Sequence, residues 1–280
     1  MRTKLALRKR LQKARGTVRR YLQDRTDPPH NPIQAFFCEW NAERLGISVK
    51  ESRERYARSW HAISYGHRSP RFREASEEWQ QVLSVFSDDS EREVWSAYAM
   101  HAPMHFLGML AKPDPSWAAS NPIVAGLAGQ KEIRILDFGC GLASASRSLG
   151  MELAKSTARV SLSLVDIPTI RRDFLLWLGP RLGLETTFLE ASPAAPIPSL
   201  PTCDVVVATE FFEHVHRPLE YLKAFDEALQ PNGFLLTNVA DHETEFMHVS
   251  PKLEQLRSEL SRLGYVEISK NVIFRKCPPA

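Results

Sequence analysis

Two short stretches of the sequence combine apolar runs with residue types that can do chemistry. The first, RILDFGCG, contains Asp137, Gly139 and Gly141. Glycines let a backbone turn sharply and approach a ligand closely, and the start of the helix predicted to follow suits a carboxylate or phosphate. Asp137 itself suits a cationic amine. The stretch therefore predicts a site for a ligand that carries an amine and a carboxylate, with a nucleotide as the alternative.

The second stretch, SLSLVDIP, places Asp166 at the end of a predicted strand. An acidic side chain there can accept hydrogen bonds from both hydroxyls of a ribose. Its plainer role is to cap a helix that begins near Ile170. Asp166 follows Asp137 by about one strand–helix–strand unit, which favours the ribose role.

A further candidate site is the sequence Glu210-Phe-Phe-Glu213-His214. On a helical turn, positions i, i+3 and i+4 share a face, so the two carboxylates and the imidazole can converge. An oxygen-rich set of this kind suits a divalent metal, with Mg²⁺ as the expected ion. The alternative is that these side chains serve packing and cofactor contacts without a metal.

Residues 129–280 alternate between apolar strands and helices, which predicts the elements that position these side chains. Strands are predicted over 133–138, 160–165, 186–189, 203–209, 234–239, 265–268 and 272–274. Helices are predicted over 142–153, 170–182, 218–229 and 253–263. Apolar strands separated by helices indicate an α/β fold: a Rossmann-like, doubly wound, mainly parallel seven-stranded sheet.

Residues 31–128 predict a helical cap or substrate domain in front of that sheet. Asn31-Pro32 is a helix-start signature and Gly46 a helix stop, and Ser48 to Glu51 forms a capping-box pattern. Five of the six tryptophans fall in this section. They form either a helical core or the lining of an apolar substrate pocket. Residues 113–122 are interpreted as a linker.

Residues 1–30 predict a basic N-terminal helix. Ten of the 36 Lys and Arg residues lie in the first 25 positions, although the net charge of the chain is only +3. A solvated helix docked by its apolar stripe is favoured. An arm for RNA or an anionic lipid surface is the alternative.

Taken together, RILDFGCGLASAS, LVDIP and CDVVVATEFFEHVHRPLEYLKAFDEALQPNGFLLTNV resemble the class I S-adenosylmethionine (SAM)-dependent methyltransferases. Within that superfamily they are most similar to the branch with the ubiquinone-pathway O-methyltransferases. The resemblance implies these cofactor-binding residues: Asp137, Gly139 and Gly141 for the methionine part, Asp166 for the ribose, Glu190 and Ala191 near the adenine, and Thr209 beside the methionine part. The run after Glu190 departs from the family, which usually has an Asp- or Asn-like residue there.

The same resemblance bears on the metal and on the catalytic base. An E-x-x-E-H pattern binds metal in the ubiquinone-pathway enzymes and in the small-RNA 2′-O-methyltransferases, which implies ligands at Glu210, Glu213 and His214. His248, or His242 in its place, corresponds to the extra ligand of the RNA enzymes. A hydroxyl or ammonium acceptor needs a base, and His248 and then His214 are the first choices. His67 and His216 are further candidates.

These observations favour methyl transfer to an oxygen or nitrogen of a small-molecule metabolite. A metal-dependent RNA methyltransferase and a non-catalytic SAM-binding protein are the alternatives. A small-molecule acceptor is the expected partner, RNA contact through the basic N-terminus is disfavoured, and a homodimer is left open.

No apolar run approaches the ~18 residues of a membrane span, and no secretory signal is found, which predicts a cytoplasmic protein. The four cysteines show no zinc-type spacing.

Overall fold

A computed structural model describes part of the chain, and its contacts divide the protein into two units. The described residues are 31–64, 109–110, 115, 120–168, 170–241 and 248–278. The units are Met1–Ala62 and Ile63–Ala280. The basic helix predicted within 1–30 lies outside the described residues. The cap boundary predicted at 128/129 stays a prediction.

The described part of the first unit contains two helices, α1 (Pro32–Leu45) and α2 (Val49–Ser64). The predicted start and stop signals of α1 are confirmed. The Asn31 side chain accepts the Ile33 N–H, and Gly46 ends the helix in the left-handed region at φ 63°. The predicted capping box is half formed, because Ser48 Oγ accepts the Glu51 N–H at 3.1 Å while the Glu51 carboxylate pairs with Arg55.

Aromatic packing joins the two helices of this unit. The Phe37 ring lies 5.9 Å from that of Trp40 and 5.7 Å from that of Tyr56, measured between ring centroids. Gln34 donates a hydrogen bond to the Tyr56 hydroxyl across the pair. Within the described residues, these aromatic side chains therefore form the core of a helical hairpin.

The second unit is built on the predicted sheet. Its strands are β1 (Glu132–Phe138), β2 (Arg159–Asp166), β3 (Glu185–Glu190), β4 (Cys203–Ala208), β5 (Leu229–Thr237), β6 (Tyr265–Ser269) and β7 (Ile273–Lys276). Their order in the sheet is β3-β2-β1-β4-β5-β7-β6. Strands β1 to β5 pair in parallel, and β7 pairs antiparallel with both β5 and β6. The expected mainly parallel seven-stranded sheet is confirmed.

Helices cover both faces of this sheet. They are α3 (Pro122–Leu127), α4 (Ser144–Leu153), α5 (Ile170–Arg181), α6 (Pro218–Ala228) and α7 (Glu254–Arg262). Because side chains alternate along a strand, a strand covered on both sides contributes side chains to two hydrophobic cores, one on each face of the sheet. Leu136 of β1 packs with side chains of α6 and α7, whereas Ile135 packs with those of α3, α4 and α5. Strands buried on both sides explain the nearly continuous apolar runs in the sequence.

The strand order sets the place of the site. β1 lies between β2 and β4, so the chain leaves β1 toward one edge of the sheet and returns to β4 on the other side. Ligands of doubly wound sheets bind outside the carboxyl ends of the strands at such a switch point. Asp137, Asp166 and Thr209 stand at the ends of β1, β2 and β4.

Two predicted boundaries are wrong in an informative way. β5 begins at Leu229 rather than at residue 234, and the register of its pairing with β4 shifts across Pro231-Asn-Gly233. Asn232 there has φ 66°, which fits the turn that this sequence favours. Pro122, the last residue of the predicted linker, starts α3, whose N-cap is Asn121.

Within the described residues, no helix has the length and apolar character needed to cross a membrane.

Candidate active site

The loop after β1 contains three residues with a left-handed backbone, at alternate positions along the chain. Gly139, Gly141 and Ala143 have φ values of 67°, 55° and 53°. The Gly139 N–H donates to the Val165 carbonyl at 2.8 Å, which ties the loop to β2. Ala143 gives the first turn of α4 no side-chain cap. The start of α4 is therefore suited to an anionic group of a ligand.

Asp137 lies beneath this loop with only 3% of its surface exposed. The Ser146 hydroxyl, on the first turn of α4, donates a hydrogen bond to its carboxylate. Burial raises the pKa of Asp137 to about 7; the Ser146 hydrogen bond opposes this rise, and the nearby Asp166 carboxylate adds to it. Ser146 was not among the predicted site residues, although its position in the first turn of α4 was a usable signal.

Asp166 at the end of β2 is held by the backbone of the same loop. Its Oδ2 accepts the Gly141 N–H at 2.8 Å, and its Oδ1 accepts the Ile167 N–H at 2.7 Å. Arg171 Nη2 lies 3.4 Å from Oδ1. The carboxylate is therefore fixed in orientation and couples the glycine loop to β2.

The predicted adenine residues follow β3. Ala191 is 2% exposed, and its N–H donates to the Asp166 carbonyl at 3.0 Å. Glu190 is exposed and pairs with Arg172 at 2.8 Å. Thr209 is half-buried just after β4. These residues lie at the same edge of the sheet as Asp137 and Asp166, and their contacts with a cofactor stay predictions.

Two side chains that the sequence did not single out pack against the glycine loop. A Cβ built on Gly139 would lie 2.7 Å from Cδ2 of Phe211, and one built on Gly141 would collide with Cε of Met109. Phe211 also packs on Phe138 and Tyr221, each at 5.1 Å between ring centroids. Gly139 is therefore required by close packing against a ring as well as by its positive φ, whereas the flexible end of Met109 can move, so the positive φ is the main requirement at Gly141.

The chain after β4 forms the second half of the site. Glu213 and His214 lie in a short 3₁₀ turn, Phe212–His214. The segment that follows β5 returns to this turn, because the N–H groups of Val249 and Ser250 donate to the Glu213 carbonyl at 2.8 and 2.9 Å. This connection brings His248 beside His214, with ring centroids 4.9 Å apart.

Glu213, His214 and His248 form a cluster in which one ligating atom from each residue lies within 4.8 Å of the others. Glu213 is fully buried and His248 is 7% exposed. We refer to these three residues as the Glu–His–His cluster. It brings together both predicted catalytic histidines and one of the two predicted carboxylate ligands.

Glu210 does not join this cluster, contrary to the expected one-face arrangement. Its φ of 52° is left-handed, so the helical turn begins only at Phe212. Its exposed carboxylate accepts a hydrogen bond from Asn238 Nδ2 at 3.2 Å. His67 and His242 lie outside the described residues.

The site fits SAM in the character of its groups. Asp137 would hold the amine, the start of α4 would receive the carboxylate of the methionine part, and Asp166 would accept the ribose hydroxyls. When bound, SAM supplies an electrophilic methyl group on its sulfonium. A doubly wound sheet that ends β1 and β2 in these acids, with a glycine loop between β1 and α4, is the arrangement of SAM-dependent methyltransferases.

Comparison with known protein families gives the same class. Residues 115–267 match the model of a family described as a methyltransferase domain. The chain therefore belongs to this methyltransferase-domain family. The matched region contains the glycine loop, both acids and the Glu–His–His cluster.

The individual relatives match different shares of the chain. A ubiquinone biosynthesis O-methyltransferase of Dinoroseobacter shibae is 31% identical over 113 residues, which is 38% of this chain and 40% of that enzyme. Human N-acetylserotonin methyltransferase, solved with SAM, is 14% identical with a TM-score of 0.47, over 82% of this chain and 70% of that one. A SAM-dependent methyltransferase from Aquifex aeolicus is 16% identical with a TM-score of 0.42, over 58% and 94%.

The raised pKa of Asp137 predicts that cofactor binding depends on pH. Because burial raises this pKa to about 7, the carboxyl group must lose a proton below that pH before it can pair with an ammonium group. We expect the affinity for S-adenosylhomocysteine to rise with pH up to about 7, by as much as about tenfold per pH unit, and then to level off. Isothermal titration between about pH 5.5 and 8.5 measures it.

Ser146→Ala is the matched variant for this prediction. It removes a hydrogen bond that lowers the pKa of Asp137, so the pH at which binding levels off should move upward. A dissociation constant of the wild type that does not change between about pH 5.5 and 8.5 would show that Asp137 does not titrate with binding, and equal pH profiles for the two proteins would show that the Ser146 hydrogen bond does not set its pKa.

Proposed function

We propose that the protein methylates an oxygen atom of a small-molecule acceptor, and that the Glu–His–His cluster removes the proton of the accepting hydroxyl. The observation that carries this proposal is the cluster itself, which joins a buried carboxylate to two imidazoles. A hydroxyl is a poor nucleophile until its proton is withdrawn, whereas a free amine needs no such group. Oxygen is therefore favoured over nitrogen. The 31% identity to an O-methyltransferase agrees with this choice.

Packing supports a short path between the cluster and the cofactor loop. Phe211 lies against Gly139 and is two residues from Glu213 in the chain. The Phe138, Tyr221 and Phe225 rings surround Phe211 on its other sides. This rigid aromatic support would hold the base in line with the methyl group, and such positioning is a large part of the rate of a transfer reaction.

In this proposal each residue has a defined task. Asp137 and Asp166 orient the two ends of the cofactor. His248 takes the proton at a ring nitrogen, and the buried Glu213 carboxylate stabilises the imidazolium that results. His214, partly exposed beside His248, faces the acceptor. We also propose that the segment around Met109 helps to cover the acceptor, which the closeness of the Met109 side chain to Gly141 supports.

The Glu–His–His cluster also fits a divalent metal ion, and its donor set favours a different ion from the one first expected. Mg²⁺ prefers an all-oxygen shell, whereas two imidazoles and one carboxylate suit Zn²⁺, Mn²⁺ or Fe²⁺. We propose this as the alternative to His248 acting as the base: an ion bound by Glu213, His214 and His248 would lower the pKa of the acceptor hydroxyl, and His248, as its ligand, would not also take the proton. Glu210 would take no part in this binding.

The test of the proposed function is a transfer assay with methyl-labelled SAM. Acceptor panels of hydroxylated aromatics, aliphatic alcohols, primary amines and a mixed RNA pool are compared, with and without EDTA. Label on hydroxylated small molecules is the expected result. Label on amines alone or on RNA alone would contradict the oxygen assignment or the small-molecule assignment, respectively.

His248→Ala is expected to lower kcat by about 100-fold or more, since it removes the proton acceptor.

Glu213→Gln should abolish binding of added Zn²⁺ or Mn²⁺, while Glu210→Ala should bind these ions as the wild type does. Metal content and isothermal titration with the ions measure this difference. Equal loss of ion binding in the Glu210 and Glu213 variants would contradict the three-residue metal site. Full methyl-transfer activity in EDTA would show that no metal is needed and would leave His248 as the base.

A further inference from the structure

Four donor groups surround the carboxylate of Asp166. A carboxylate has about four positions at which it can accept hydrogen bonds. Two are filled by short bonds from the N–H groups of Gly141 and Ile167, at 2.8 and 2.7 Å. The others face Arg171 Nη2 at 3.4 Å and the Cys140 thiol at 3.9 Å between sulfur and oxygen. These last two contacts are the longest and the easiest to exchange.

Arg171 is held in a poorly solvated place beside this carboxylate. The side chains of Arg171 and Asp166 are only 11% and 12% exposed. Salt screens such a pair less than a surface pair. The next residue provides a contrast, since Arg172 pairs with Glu190 while their side chains are 45% and 49% exposed.

We propose that Arg171 sets the affinity for the cofactor by competing with the ribose hydroxyls for Asp166. This inference rests on Asp166 as the ribose acceptor. Two hydroxyl donors need two acceptor positions, and the backbone bonds from Gly141 and Ile167 cannot be given up without loosening the loop. Ribose binding therefore displaces Arg171 from Oδ1, and the orientation of the carboxylate is kept by the backbone.

Arg171 therefore acts on the cofactor only through Asp166. Its presence weakens binding of every ligand that carries the ribose. That is useful in an enzyme that must release S-adenosylhomocysteine after each turnover, because a tightly held product slows the cycle.

The test compares neutral variants of a poorly solvated and an exposed arginine. Arg171→Met keeps the apolar stem and removes the charge. Arg159→Met is the control, because Arg159 pairs with Glu185 at 2.7 Å on the surface, at the opposite end of β2 from Asp166. We expect the dissociation constant of S-adenosylhomocysteine to fall by about three- to tenfold in Arg171→Met, as removal of a competing ion pair of modest strength implies. It should be unchanged in Arg159→Met. Arg171→Gln, a second neutral variant, should also bind more tightly.

A double-variant comparison separates competition from a structural role. In an Asp166→Asn background, where the charge that attracts Arg171 is gone, Arg171→Met should no longer tighten binding. Binding by Arg171→Met that is equal to or weaker than that of the wild type, in protein that unfolds at a similar temperature, would overturn the proposal. If Asp166→Ala binds as the wild type does, the ribose assignment has failed. If Asp166→Ala loses binding but Arg171→Met and Arg171→Gln bind as the wild type does, the ribose assignment stands and only the competition by Arg171 is contradicted.

Discussion

Asp166→Ala is expected to abolish measurable binding of S-adenosylhomocysteine, with a loss of about 100-fold or more. The variant removes the group proposed to accept two ribose hydroxyls, and hydrogen bonds to a charged group each contribute about 1.5–3 kcal/mol. It also removes the acceptor for the N–H groups of Gly141 and Ile167, so the glycine loop loses one of its ties to β2. Isothermal titration of folded wild type and variant measures the change.

Two further variants separate the causes of this loss. Asp166→Asn keeps an acceptor oxygen for the loop and should lose less affinity than Asp166→Ala. Asp173→Ala removes an exposed carboxylate from the first turn of α5 and should bind as the wild type does. Binding by Asp166→Ala within threefold of the wild type would rule out Asp166 as the ribose acceptor.

Gly139→Ala is expected to have the second-largest effect, on both stability and cofactor binding. The backbone at Gly139 has φ 67°, where an alanine costs about 1–2 kcal/mol. The new Cβ would also lie 2.7 Å from Phe211 Cδ2, and this ring is fixed among Phe138, Tyr221 and Phe225. Relief of that contact costs about 1–3 kcal/mol more, as overpacking usually does. Denaturant unfolding and titration with S-adenosylhomocysteine should both show the loss.

Gly264→Ala is the control, since φ there is 79° and no atom lies within 4 Å of the added Cβ. It should lose only the backbone contribution and leave cofactor binding intact. Gly139→Ala combined with Phe211→Leu, which makes room for the Cβ, should recover part of the stability. Equal destabilisation of Gly139→Ala and Gly264→Ala, with unchanged binding, would show that the Phe211 contact is unimportant.

Much of the fold was predictable because its signals are local. The central strands β1 and β4 are short, mostly apolar runs, and helix ends are marked by residues that satisfy backbone groups, as Asn31 and Gly46 do for α1. The two acids followed from the same logic, because Asp137 and Asp166 end apolar strands whose carboxyl ends meet at one edge. The pattern of residues thus predicted which side chains gather at the site.

Features that depend on tertiary contacts were not predictable. The E-x-x-E-H spacing predicted one helical face, but the left-handed backbone at Glu210 turns its side chain to Asn238. The closeness of His248 to His214 depends on hydrogen bonds made far along the chain, from Val249 and Ser250 to Glu213. Arg171 carries no motif, and its role follows only from its distance to Asp166.

The most direct test of the account is a crystal structure of the protein with S-adenosylhomocysteine. We predict the amine of the ligand on Asp137, its carboxylate at the start of α4 and both ribose hydroxyls on Asp166, with Arg171 displaced from Oδ1. The sulfur should point toward the Glu–His–His cluster. A ligand bound away from the carboxyl ends of β1 and β2, or with its sulfur directed away from His248, would contradict the assigned cofactor site and the proposed base.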